Sequence, residues 1–76
     1  MSILSDVNIG NLVVVSENNA KNPLKERLLS LGITNGAYIE VLRKGPKNNL
    51  TVYRIRGAMI ALRSEEASLI NVSLVI

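Results

Sequence analysis

Hydrophobic positions along this chain follow two periods. Between residues 23 and 31 the period is helical: Leu24, Leu28 and Leu31 fall on one narrow stripe, while Lys25, Glu26 and Ser30 point to water. The spacing predicts a short helix beginning near Pro23, with Asn22 suited to the N-cap and Pro23 to the first helical position, where a missing N–H is harmless. Gly32 then ends it, because glycine takes the left-handed conformation that other residues resist, and Ile33 can fold back on Leu28 as a Schellman stop. Asn35-Gly36 adds a turn signal just beyond.

Elsewhere the period is two. Asn11 to Ser16 holds a β-branched run with Val13 and Val15 on one face and Leu12 and Val14 on the other. Ala37 to Lys44 alternates with Ile39 and Val41 inward, and Leu50 to Arg56 with Thr51, Tyr53 and Ile55 inward. Met59 to Arg63 places Ile60 and Leu62 inward, and Leu69 to Ile76 does the same with Ile70, Val72 and Leu74. Turn chemistry fills Gly45 to Asn49, and Gly57-Ala58 fits a two-residue hairpin whose first position needs positive φ. Single helical turns are predicted near Leu4 to Val7 and at Ser64 to Ala67, where a capping serine precedes two acids. The pattern predicts a mainly β domain: a small five-stranded barrel with one short α-helix and one or two single helical turns.

Opposed residues of antiparallel strands share a face, so the two hairpins fix a register. The five-residue loop sets Leu42 opposite Val52, Glu40 opposite Arg54 and Tyr38 opposite Arg56. Gly57-Ala58 sets Arg56 opposite Met59 and Arg54 opposite Ala61. The outer face is therefore expected to carry the rows Tyr38, Arg56, Met59, then Glu40, Arg54, Ala61, then Leu42, Val52, Arg63.

Composition narrows the chemistry. Seventy-six residues support one small core and a single domain, 1–76. With 2 Tyr, no Phe and no Trp, that core is aliphatic. The chain has no cysteine and no histidine, which excludes disulfides, ordinary zinc sites and Cys/His or Ser/His catalysis. The adjacent acids Glu65 and Glu66 diverge on any regular element and suit a helical first turn better than a metal site. No metal, cofactor or catalytic constellation is expected. Apolar runs are far too short to span a bilayer and no signal pattern opens the chain, so a cytoplasmic protein without membrane insertion is expected. The net charge of +3 favours an acidic partner. Nucleic acid is not the expected one: Tyr38 alone is a candidate exposed aromatic, whereas single-strand binders combine basic grooves with several stacking platforms.

The order of parts, RLLSLGITNGAYIEVLRKGP, a strand ending in Arg56-Gly57, then AMIALRSEEASLINV, resembles the ferrous iron transport protein A (FeoA) family. The resemblance runs from about Leu4 to Val72 and rests on Arg27-Leu28, Leu31-Gly32, Gly36, Gly57, Ala61-Leu62-Arg63, Ala67 and Ile70-x-Val72. It implies an SH3-like barrel and a non-catalytic accessory role in ferrous iron uptake. The implied partner is the cytosolic part of a membrane iron transporter with a GTPase domain. Related domains end metal-dependent repressors, so a free-standing regulatory or nucleic-acid-binding SH3-like module is the alternative. The chain departs from the family's hairpin tip at Lys47, Asn48, Asn49 and Leu50.

Candidate partner-binding residues follow from the register: Leu42, Val52 and Met59 as apolar positions on an outer face, and Arg54 and Arg56 as cations beside them. The competing expectation is that sheet twist, a loop or the helix covers the apolar group. A Glu40–Arg54 cross-strand pair is the default for that arginine. Leu29 lies off the helical stripe and is either covered by a second element, the favoured reading, or a docking contact.

Overall fold

The computed structural model describes residues 2–75. Its strands are β1 (Ser2–Ile3), β2 (Leu12–Asn18), β3 (Tyr38–Lys44), β4 (Leu50–Ile55), β5 (Ala58–Arg63) and β6 (Ile70–Leu74). Helix α1 spans Leu24–Ser30 and the single turn α2 spans Ser64–Ala67, with 3-10 turns at Leu4–Asp6 and Pro46–Asn48. All strand pairings are antiparallel, and the sheet runs β1-β6-β2-β3-β4-β5. The predicted mainly β architecture holds, with two-residue β1 added as a sixth strand beside β6.

Alternation builds the core as expected. Val13, Val15, Ile39, Val41, Thr51, Tyr53, Ile55, Leu62, Ile70 and Val72 are buried along the inner face, and Leu4 from the first 3-10 turn joins them. Burial pushes the Tyr53 phenol above its ordinary range. Two bulges bend the sheet: the β2–β6 register shifts between Val15 and Glu17, and the β3–β4 register between Val41 and Arg43. Each inserts a residue on one strand, which raises the local twist and helps curl the sheet.

One end is closed by α1. Leu28 is fully buried, Leu24 and Leu31 pack partly buried against the core, and the stop is a Schellman motif: Gly32 N–H donates to Leu29 O at 3.0 Å and Ile33 N–H to Leu28 O at 3.1 Å. Asn22 does not cap this helix. Pro23 occupies the cap position without a side-chain bond, and the carbonyls of Lys21 and Pro23 accept the N–H groups of Lys25 and Arg27. The Lys21 carbonyl thus serves the Lys25 donor that a capping side chain would have taken, while the Pro23 carbonyl accepts the first bond of the helix itself.

Helix α1 is tied to α2 by Arg27, whose Nη1 lies 2.7 Å from Glu66 Oε2, while Glu66 Oε1 accepts the Arg63 backbone N–H at 3.0 Å. The Arg63 N–H first, and the Arg27 guanidinium second, hold the Glu66 carboxyl below its usual range. A depressed carboxyl contributes stability that is complete above its unfolded pKa and lost as pH falls through the folded value. Acid titration of the unfolding free energy is therefore expected to show a loss beginning below about pH 4.3 that Glu66→Gln removes. Arg27→Ala, breaking a half-exposed pair, is expected to lower stability at pH 7 by about 0.5–1 kcal/mol in urea unfolding.

One inward expectation needs correction. Leu74 is 56% exposed; among the described residues β1 pairs with β6 at Val72 and Asn71, and Leu74 lies past that pairing. Ile60 points inward as expected and packs against the core, half-buried because β5 is the last strand of the described sheet. Ile76 lies outside the described residues.

Candidate partner-docking face

The outer face of β2 to β5 is set by the observed register, which departs from the expected one at two places. The β4–β5 turn is Arg56-Gly57, with φ of +51° and +81°, and Ile55 faces Ala58 across it. Two left-handed central residues match the right-handed twist of a tight hairpin. The expected turn has Gly57 in its first position; Gly57 takes the second instead, and Arg56 holds the first, where its guanidinium has partners. Arg56 Nη2 donates to Thr34 Oγ1 at 2.9 Å and Nε to Gly32 O at 3.5 Å, spanning the turn that follows α1. Arg56 therefore leaves the sheet face, and the expected row Tyr38, Arg56, Met59 does not form.

Moving the turn by one residue slides β5 by two against β4, so every side chain keeps its face while its partner changes. Met59 lies opposite Arg54, Ala61 opposite Val52 and Arg63 opposite Leu50. On β3 the bulge makes Arg43, with Leu42 beside it, the residue opposite Val52. One continuous row crosses four strands: Leu12, Glu40, Arg54 and Met59.

The structure brings four of the expected residues together. Met59 is 66% exposed, Leu42 and Val52 are half-buried and Arg54 is exposed. The Arg54–Glu40 cross-strand pair is present, loose at 3.4 Å with both side chains largely in water. Leu42 and Val52 are thus partly covered, and Met59 is open. Arg56 sits at the hairpin turn, and Leu29 lies outside these rows on α1, where it is 39% exposed and, among the described residues, not covered by a second element as the favoured reading required. The sequence reading left out Leu12, 41% exposed at the other end of the row; its β2 parity and the Glu40–Arg54 pairing were the signals that point to it. Arg43 was also left out, because only the bulge turns it to this face.

Arginine dominates the face. Arg54 has a loose carboxylate partner, and among the described residues Arg43 and Arg63 have none within 4.0 Å. Two open grooves flank it: one of about 220 Å³ lined by Gly36, Ala37, Tyr38 and Arg56, and one of about 400 Å³ lined by Asn49, Leu50, Arg63 and Glu65. Among the described residues no group of three or more acidic side chains gathers to hold a metal ion.

A family model described as FeoA domain matches residues 3–74. The chain belongs to the FeoA family. A Porphyromonas gingivalis Fe(2+) transport protein A/Fe(2+) transporter FeoB fusion protein is 29% identical over 72 residues, covering 95% of this chain, which spans only 8% of that fusion. The solution structure of iron(II) transport protein A from Clostridium thermocellum superposes with a TM-score of 0.92 at 30% identity, over 96% of this chain and 45% of that one. FeoA from Stenotrophomonas maltophilia, solved with zinc and described as a procaryotic SH3 domain protein, aligns with a TM-score of 0.84 at 25% identity, over 96% and 91% of the two chains. The FeoA domain here is thus an SH3-like barrel. A manganese-dependent transcriptional repressor shares the fold at a TM-score of 0.85 and 20% identity, over 97% of this chain and 41% of that one, a likeness of fold alone. No described helix of this FeoA chain is long and apolar enough to cross a membrane.

Proposed function

We propose that this FeoA-family chain is a non-catalytic accessory of ferrous iron uptake. It docks on the cytosolic part of a GTPase-containing membrane iron transporter through the outer face of β3, β4 and β5. The observation that carries the reading is the fusion relative, in which a domain like this one and a FeoB transporter form one polypeptide. Covalent linkage places two modules at high effective concentration, and separate chains that do the same work need a docking surface instead. Leu42, Val52 and Met59 beside Arg43 and Arg54 supply an apolar centre with a cationic rim, the usual layout of such a surface. Leu29 and Arg56 belong to a second, smaller contact at most, since neither shares the rows.

The test is the double variant Val52→Glu, Met59→Glu. Both side chains project from the outer face, so circular dichroism and the unfolding midpoint are expected to remain close to those of the parent. Affinity for the purified transporter cytosolic domain is expected to fall at least about tenfold, the equivalent of one lost contact of ordinary strength. Parent-like affinity in a pull-down of the folded double variant would defeat this docking surface.

A further inference from the structure

We infer that the free edge of β5 is a strand-acceptor site for an extended, acidic segment of a partner protein. This rests on the accessory reading only for where that segment comes from; the site itself follows from backbone geometry.

Among the described residues strand β5 ends the sheet, with β4 as its only strand neighbour. In a two-residue hairpin the residues flanking the turn exchange both backbone bonds, and hydrogen-bonded pairs then recur at every second position. Because Ile55 faces Ala58, the bonded pairs are Ile55–Ala58, Tyr53–Ile60 and Thr51–Leu62. The N–H and C=O groups of Met59 and Ala61 therefore point away from β4, and so does the Arg63 N–H. The last of these is seen directly: it donates to the Glu66 carboxylate at 3.0 Å. Among the described residues the Met59 and Ala61 backbone groups have no partner across the open side, and both residues are exposed.

Natural sheets protect such edges with a proline, a bulge, an inward charge or a very short strand. Strand β5 has none of these: it is six residues long, its register with β4 is unbroken, and its inward residues are Ile60 and Leu62. The opposite edge of the sheet, β1, is only two residues long. An exposed, regular edge of this kind is the template for β-augmentation, in which main-chain bonds supply affinity and alternate side chains supply selection.

Charge selects the occupant. Arg63 lies on the edge strand and Arg54 in the row of Met59, and the acid on this outer face, Glu40, is already beside Arg54 at 3.4 Å. A second copy pairing antiparallel about Ala61 would set Arg63 opposite the other copy's Met59, in the row that already carries that copy's Arg54, and so gather like charge on one face, which is unfavourable. An incoming strand with carboxylates on its outer-face positions meets Arg54 and Arg63 with opposite charge, and its inner-face apolar side chains extend the half-buried surface at Ile60.

The experiment uses the full chain and a capped octapeptide of alternating valine and glutamate, followed by amide hydrogen exchange and titration. Binding is expected to slow exchange at Met59 and Ala61 about tenfold or more. Replacing glutamate by lysine, adding salt, or N-methylating alternate peptide bonds is expected to weaken binding about tenfold or more. Ala61→Pro removes only an outward-pointing N–H, a place where an edge strand accepts proline, and is expected to abolish binding while Ile60 and Leu62 amides stay protected. Absence of peptide binding overturns the inference, as does binding that survives N-methylation, an arm that needs no variant to fold. Protection of Met59 and Ala61 that grows with protein concentration alone assigns the edge to a second copy and overturns it too. Transporter-domain binding that is lost in Val52→Glu, Met59→Glu but kept in Ala61→Pro sinks the edge site and leaves the accessory reading. Peptide capture without any transporter-domain binding does the reverse.

Discussion

Leu28→Ala is expected to destabilise the domain by about 3 kcal/mol and to lower its melting temperature by about 15 °C. Leu28 is the one fully buried side chain of α1, and it joins the helix to the core that includes Ile33, Ile39 and Ile55. Truncation removes the transfer free energy of the lost carbons and leaves a void that the sheet, pinned by its hydrogen-bond ladders, cannot fully close. A domain of this size starts from a stability of only about 5 to 10 kcal/mol, so the loss is a large fraction of the whole. Urea unfolding read by circular dichroism is the measurement. A loss under about 1 kcal/mol would mean that α1 is not held to the barrel through this leucine.

Gly32→Ala is expected to cost about 2 to 4 kcal/mol, from two separable causes. Its φ of +102° is a conformation that a Cβ resists at about 1 kcal/mol or more. A Cβ built there also lies 3.1 Å from Arg56 Cδ, 3.3 Å from Arg56 Nε and 3.3 Å from Ile55 Cγ2. The Arg56 side chain cannot swing away without releasing Thr34 and the Gly32 carbonyl, and Ile55 is buried. Gly36 provides the control: its φ is +87° but nothing lies within 4 Å of its Cβ position, so Gly36→Ala is expected to show the backbone cost alone, about 1 kcal/mol. Equal losses at the two glycines would remove the crowding argument, and with it the claim that the hairpin turn is braced against the end of α1.

That brace explains where reading residues in order succeeds and where it stops. Inner-face parity was legible throughout β2, β3 and β4 because a buried face tolerates only one phase of a period-two pattern. The Gly32 stop was legible because a local hydrogen-bond motif needs only neighbours in sequence. The β4–β5 turn was not: a glycine-first rule is sound for isolated hairpins, yet Arg56 takes a left-handed conformation because Thr34 and Gly32, distant in sequence, bind its side chain. Leu29 was expected to be covered for a related reason, since its position off the stripe says nothing about whether a second element exists to meet it.

For the docking face the same division applies. Glu40 and Arg54 were paired correctly because the turn is one residue longer than expected, with Lys44 facing Thr51, and the bulge after Val41 restores the offset before Glu40 is reached. Arg43 was missed because the bulge after Val41 carries no proline or glycine to announce it.

Reading the residues in order was enough for the mainly β class, the inward face of nearly every strand, the helix and its glycine stop, and the family resemblance. These depend on periodicity and on bonds between near neighbours. Tertiary structure alone decided which outward residues lie side by side, that Arg56 braces α1 instead of joining the sheet face, and that β5 ends the sheet with Met59 and Ala61 facing outward. Those outcomes depend on bulges, turn placement and strand order, which are settled by how the whole sheet closes over one small core.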